Sequence, residues 1–259
     1  MTRIIAITNQ KGGVGKTTTC VNLGATLSEM GYKVLVIDFD PQGNATTGSG
    51  VVKKNIEHDV RGLLLGESSF AQTCICETQA GYDLLPSDIK LTEAEVGLIG
   101  QVRCQYKLKD ALRDQAINYN FVLIDCPPAL SMLTINGLIA ANGVIIPVQC
   151  EFFALEGIAA LIETIEQGRE THNVKLQIDG VLRTMYDPRT SLTRQVSQQL
   201  EQFFKDLVFK TVIPRNIRLA EAPSHGLPVL RYDRLSKGAL SYLAFASELR
   251  KRLKLKKAA

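Results

Sequence analysis

The stretch Lys11-Gly12-Gly13-Val14-Gly15-Lys16-Thr17-Thr18 limits what this chain can fold into more than any other. It follows an apolar run, Ile4-Ile5-Ala6-Ile7, and precedes a segment in which Leu23, Leu27 and Met30 recur at helical spacing before a stop at Gly31. Strand, glycine turn and helix in that order are the context a phosphate-binding loop requires. Glycines let the backbone pass close to phosphate oxygens, so several N–H groups converge as an anion nest. The helix behind the loop adds its free N–H groups and the positive end of its dipole. In such a loop Lys16 reaches the β- and γ-phosphates of a nucleotide, and the Thr17 hydroxyl ligates Mg²⁺. The general pattern has a glycine where Gln10 stands and leaves Lys11 unexplained. A flexible turn with incidental lysines would need neither the two placed lysines nor the threonine pair.

Two later strands are expected to deliver carboxylates to the same place. Val34-Leu35-Val36-Ile37 is continuously apolar, as when helices cover both faces of a parallel sheet, and it ends in Asp38-Phe39-Asp40-Pro41-Gln42-Gly43-Asn44. Phe121-Val122-Leu123-Ile124 likewise ends in Asp125-Cys126-Pro127-Pro128, a Walker B pattern in which Asp125 holds Mg²⁺ directly or through a water. Ligands of parallel α/β sheets sit beyond the carboxyl ends of the strands, so Asp38, Asp40 and Asp125 emerge beside the loop. An Asp-rich turn before Pro41 is the plain alternative for the first pair.

The rest of the chain alternates in the same way. Short strands are expected at 73–76 and 82–85, and helical segments at 60–65 and between 91 and 116. Val102, Tyr106, Leu108, Ala111 and Leu112 read as a core stripe there. Helices at 131–141 and 154–170 flank a strand at 143–148. A strand at 176–185 precedes a helix capped by Thr190 or Ser191, with Leu192, Val196, Leu200 and Phe203 inward. A strand at 210–213, a loop-rich stretch at 217–228 and an extended piece at 229–232 lead to a last helix. That basic helix, about 236–257, is expected to turn Leu240, Leu243, Ala246, Leu249 and Leu253 inward. With no repeat, linker or composition break, 1–259 reads as a single domain. The fold class is three-layer α/β, a doubly wound and mostly parallel sheet with helices on both faces.

Composition excludes several classes. The six cysteines form no C-x-x-C pair, and several sit in apolar runs, which suits free thiols in a reducing cytosol. No basic-then-apolar leader opens the sequence, and no apolar stretch reaches spanning length. The net charge of +4 is too mild to imply nucleic acid, but Arg250, Lys251, Arg252, Lys254, Lys256 and Lys257 crowd the end. Charge alone leaves a solvated tail and an anionic partner equally open.

The loop with its extra Lys11 resembles the deviant phosphate loop of the ParA/MinD ATPases. The likeness continues through Asp38-x-Asp40-Pro41-Gln42-Gly43-Asn44, Asp125-Cys126-Pro127-Pro128, Pro147-Val148-Gln149-Cys150-Glu151, Val212-Ile213-Pro214-Arg215-Asn216 and Glu221-Ala222-Pro223-Ser224-His225-Gly226. It resembles the chromosomal Soj/ParA branch more than MinD. The resemblance implies an Mg²⁺-dependent, cytoplasmic and nucleoid-associated ATPase of chromosome or plasmid partition. ATP closes such a protein into a face-to-face homodimer that binds DNA nonspecifically, and a ParB-type centromere-binding protein stimulates hydrolysis. It implies nucleotide contacts from Lys11, Gly12, Gly13, Val14, Gly15, Lys16, Thr17 and Thr18, with Pro214 and Asn216 at the adenine. Lys11 would act in trans on the partner's phosphates, and Gly12 would lie where the two backbones meet. Asp40 would orient the attacking water, while Thr17, Asp38 and Asp125 would make the metal site.

Arg189 and Arg218 resemble positions that this branch uses for DNA, and Arg215 and the basic last helix are further candidates. A lone arginine is otherwise most often a solvated surface charge. The main alternative is a MinD-like, membrane-associated regulator of cell division, but Leu253-Lys254-Leu255-Lys256-Lys257 lacks the bulky apolar residues of an amphipathic anchor, so no stable membrane anchoring is expected. A metabolic enzyme or tyrosine kinase using the same loop is a third class; the kinase reading lacks a C-terminal tyrosine cluster.

Overall fold

The structure is a computed structural model that describes residues 2–254. Seven strands form one sheet: β1 (Arg3–Ile7), β2 (Val34–Asp38), β3 (Asp83–Leu85), β4 (Phe121–Asp125), β5 (Gly143–Gln149), β6 (Gln177–Tyr186) and β7 (Val208–Pro214). Their order is β3-β2-β4-β1-β5-β6-β7, and every pairing between them is parallel. All residues of β2 and β4 are buried, because helices cover both faces.

Alternation along these strands feeds two cores. Ala6, Leu35, Ile37, Val122 and Ile124 face one way, with the helices Met132–Ala140 and Ala154–Thr171 packed over them. Ile5, Ile7, Val36, Phe121 and Leu123 face the other way, under the helices Lys16–Glu29 and Lys237–Arg252. Three layers result, with β1 at the centre and the loop after it at the carboxyl edge.

Local readings fail where tertiary partners decide. Segment 229–232 is helical rather than extended, because the Asn22 side chain accepts the Val229 N–H at 2.7 Å and so caps its first turn. Part of 217–228 is also helical, Ile217–Glu221 followed by a 3₁₀ turn. Of 73–76 only Ile75 pairs, antiparallel to Leu84, and Phe70–Thr73 is a helical turn closed by a Ser69–Gln72 capping box.

The stripes are narrower than expected. Val102 is 85% exposed, and Leu192 and Phe203 point outward from the helix Ser191–Phe204, which buries Val196 and Leu200. Thr190 does not cap that helix; its hydroxyl donates to the Asp187 carbonyl. The last helix buries Ala239, Tyr242, Phe245, Ala246 and Leu249 and leaves Leu240 outside. Tyr242 hydrogen-bonds Thr19 at 3.2 Å, which sets its rotation. Arg252 also turns inward, donating to the carbonyls of Asp179, Leu207 and Val208 and covering the Phe209 ring, so it is not a free surface cation. Leu255, Lys256 and Lys257 lie outside the described residues. Among the described helices none is long and apolar enough to cross a membrane.

Candidate functional site

Backbone pairing brings the three loop-bearing strand ends together. β4 lies between β2 and β1, with Asp125 opposite Asp38 on one side and opposite Ile7 on the other. The glycine loop therefore starts beside the Asp125 end of β4, with the Asp38 end of β2 one strand further on.

The loop is fastened from below. Asn9 donates to the Pro147 carbonyl at 2.7 Å and accepts the Lys11 N–H at 2.9 Å. Thr184 on β6 donates to the Val14 carbonyl at 2.8 Å. Gly15 takes a φ of +87° as the helix Lys16–Glu29 opens, a conformation that a side chain would strain. Neither Asn9 nor Thr184 carried a site reading in the sequence, although Asn9 lies in the loop motif.

Lys16 is 6% exposed, and its ammonium donates to the Lys11 carbonyl at 3.0 Å. Burial lowers its pKa, opposed by the charges of Asp125 and Asp40. Asp125 is fully buried, and among the described residues neither of its carboxylate oxygens has a hydrogen-bond partner. Burial first, then the charge of Asp38, holds its carboxyl well above the usual range. The Thr17 hydroxyl is near enough to favour the charged form but does not complete a hydrogen bond. An orphaned carboxylate beside a threonine hydroxyl is an all-oxygen donor set, and it fits a hard cation such as Mg²⁺.

Asp38 stands differently. Its Oδ2 accepts both the N–H and the hydroxyl of Thr46 at 2.6 Å, and Thr46 Oγ1 accepts the Ser87 N–H at 2.9 Å. Burial pushes Asp38 up to about 7 against these bonds. Its carboxylate thus ties the 39–46 loop to the sheet. Asp40 is 8% exposed; its Oδ1 accepts the Gln42 N–H at 2.9 Å and its carbonyl accepts Ser87 Oγ at 3.0 Å.

Lys11 is half-exposed and pairs with Glu151 of its own chain. A Cβ on Gly12 would meet nothing within 4 Å in this chain, so a side chain there fits the lone molecule. Behind the loop lies a cavity of about 270 Å³ whose lining includes Gly15, Thr18, Thr184, Pro214, Asn216 and Tyr242. Asn216 Oδ1 is buried without a partner among the described residues, and Met185 in the same wall has a φ of +47°. A larger cavity of about 1050 Å³, between Gln177 and Leu253, touches no loop residue.

Of the candidate arginines, Arg215 lines the cavity behind the loop, whereas Arg189 and Arg218 do not. Arg189 is bound by both oxygens of Asp187, at 2.9 and 2.7 Å, which holds that carboxyl down at about 2. Arg218 pairs with Glu221 at 2.8 Å and with Asp233 at 3.2 Å. Arg215 is exposed, and its charge also acts on Asp187.

Residues 2–178 match a family model described as an AAA domain. The chain is 49% identical to the sporulation initiation inhibitor protein Soj of Bacillus subtilis, over 96% of this chain and 98% of that one. It is 47% identical to the chromosome partitioning protein ParA of Caulobacter vibrioides, covering 95% and 93%. Among solved structures, a Mycobacterium smegmatis protein named cobyrinic acid a,c-diamide synthase, with bound ADP and magnesium, superposes with a TM-score of 0.86 at 37% identity, covering 99% and 98%.

Proposed function

This chain belongs to the Soj/ParA family of chromosome-partitioning ATPases, and on that premise we propose that its ATP-bound form closes into a homodimer that binds DNA without sequence preference. A ParB-type centromere-binding protein discharges that dimer by stimulating hydrolysis. We take 1–259 as a single ATPase domain that associates with the nucleoid when dimeric.

The observation that carries the ATPase chemistry is the partnerless, fully buried Asp125 carboxylate next to Lys16 and Thr17. A fold keeps such a group only where something supplies the missing charge. Thr17 and Asp125 would hold Mg²⁺, which supplies positive charge against the phosphate oxygens when bound. Asp38 positions the 39–46 loop through Thr46 and so supports this site from behind. Lys16 and the loop N–H groups neutralise the transferred phosphoryl group. Asp40 orients the attacking water. Pro214 and Asn216 flank the base in the cavity behind the loop, where the free Asn216 Oδ1 can accept from the adenine amine. Lys11 leaves Glu151 to reach the partner's phosphates, and Gly12 keeps the two backbones close.

Arg189 and Arg218, with Arg215 beside them, contact phosphates without reading bases. Arg189 and Arg218 must each exchange a carboxylate of this chain for a DNA phosphate. The test is co-sedimentation with plasmid DNA under ATP, ADP and no nucleotide, titrated with salt. Binding only with ATP, indifferent to sequence and falling steeply with salt, is expected. Co-sedimentation with liposomes but not with DNA would overturn the proposal.

A further inference from the structure

Outside the nucleotide site, the short segment paired with the edge strand β3 gathers soft donors. Ile75 pairs with Leu84 through two backbone bonds, Ile75 N–H to Leu84 O at 2.8 Å and Leu84 N–H to Ile75 O at 2.9 Å. An extended residue between two cysteines throws both thiols to one face, here the face that also carries Asp83. The two sulfurs and one carboxylate oxygen of Asp83 all lie within 4.8 Å of one another. Asp83 is already oriented: the Glu77 N–H donates to its Oδ1 at 2.9 Å and the Tyr119 hydroxyl to its Oδ2 at 2.8 Å. That hydroxyl also lies 3.8 Å from Cys74 Sγ. Cys76 is exposed, whereas Cys74 and Asp83 are half-buried.

We propose that Cys74, Cys76 and Asp83 bind one zinc ion, with solvent completing the tetrahedron on the Cys76 side. Zinc bonds of about 2.3 Å to sulfur and 2.0–2.2 Å to oxygen place tetrahedral donors roughly 3.5–3.8 Å apart, so these side chains need only rotate. The mixed set is wrong for the alternatives. Magnesium and calcium take oxygen alone, and copper(I) prefers sulfur alone. A Cys74–Cys76 disulfide is disfavoured because an extended Ile75 holds the two Cα atoms about 6.6 Å apart, at the upper end of the range a disulfide spans. On binding, both thiols become thiolates and release their protons to solvent. Tyr119 orients the carboxylate as an outer partner. The ion would clamp the 74–76 segment onto β3, which ends the sheet and, among the described residues, has only the Ile75–Leu84 bridge on its outer side.

Cobalt(II) titrated into the reduced, full-length protein reports the site. One cobalt per chain should give a thiolate-to-cobalt charge-transfer band in the near ultraviolet together with tetrahedral ligand-field bands. Cobalt in the oxygen-lined nucleotide site gives no such band, so failure here and failure of the ATPase reading are separable. Cys76→Ser, at an exposed position, should abolish the band, and Tyr119→Phe should weaken cobalt binding about 10-fold. Zinc should raise the melting temperature of the wild type and not of Cys76→Ser. The proposal is overturned if the reduced wild type shows no band, if the band survives the Cys74→Ser/Cys76→Ser double substitution, or if Asp83→Asn leaves cobalt affinity unchanged.

Discussion

Replacing Asp125 by Asn should make the nucleotide-free protein more stable while removing its response to magnesium and ATP. The wild-type carboxylate is fully buried, has no hydrogen-bond partner and faces Asp38 across neighbouring strands. Strands lie about 4.8 Å apart, and like charges at that spacing repel by about 3 kcal/mol at an effective dielectric constant near 20. The attraction of Lys16 is weaker than the repulsion from Asp38 and offsets only part of it, and the desolvation of the carboxylate, the largest effect, costs several kcal/mol for an ion short of partners. Asn removes the charge but brings an amide that must find acceptors, at a cost of about 1–3 kcal/mol if it does not. A net gain of about 1–3 kcal/mol follows, or roughly 2–10 °C in melting temperature for a chain of this size. Burial and Asp38 raise the Asp125 pKa, so the folded chain keeps that proton to higher pH than the unfolded chain. The penalty is absent below the unfolded carboxylate range and grows as pH rises towards the folded value. Thermal melts in chelator should therefore show a larger gain at pH 8 than at pH 5. Adding magnesium and ATP should raise the parent's melting temperature and leave the variant's unchanged. A variant less stable than the parent at pH 8 in chelator would refute this account of the site.

Lys16→Ala should abolish nucleotide binding in equilibrium dialysis, since the phosphates lose their main cationic side chain; unchanged ATP affinity would remove Lys16 from the site. Asp40→Ala should retain ATP binding and dimerisation by light scattering while turnover stops, and a normal hydrolysis rate would exclude it from water activation. Arg189→Ala should weaken DNA binding about equally across sequences and reduce the slope of log K against log salt by about 1; an unaltered slope would assign Arg189 wholly to its pairing with Asp187.

The centre of this protein was more legible in its sequence than the periphery, for a physical reason. A strand buried on both faces has to be apolar throughout, so β2 and β4 and the aspartates ending them stand out without knowledge of the fold. The loop is equally plain, because passing backbone close to phosphate demands glycine. The helix at 229–232 depends on the Asn22 side chain 207 positions away, which no local pattern carries. Helical spacing points Leu240 inward with Ala246 and Leu249, but the helix is turned so that Tyr242 meets Thr19, which buries Ala246 and Leu249 and leaves Leu240 in solvent. At the site, sequence placed Asp38 and Asp125 together as metal residues, and the structure separates their circumstances: Thr46 occupies Asp38, while Asp125 is unpartnered. Hydrogen-bond satisfaction is a property of three dimensions, and no spacing encodes it.

The lateral register of Ile7, Asp125 and Asp38 makes the sheet a ruler for the site. The interval between neighbouring strand ends is a backbone hydrogen-bonding period, about 4.8 Å, and owes nothing to which aliphatic side chains fill the layers above and below. Core substitutions can change twist or stability without changing that gauge. The spacing of the loop from its carboxylates is thus insulated from drift in most of the hydrophobic interior. It is exposed chiefly to insertions or deletions within β1, β2 or β4, where a slip of one residue would turn a carboxylate to the opposite face.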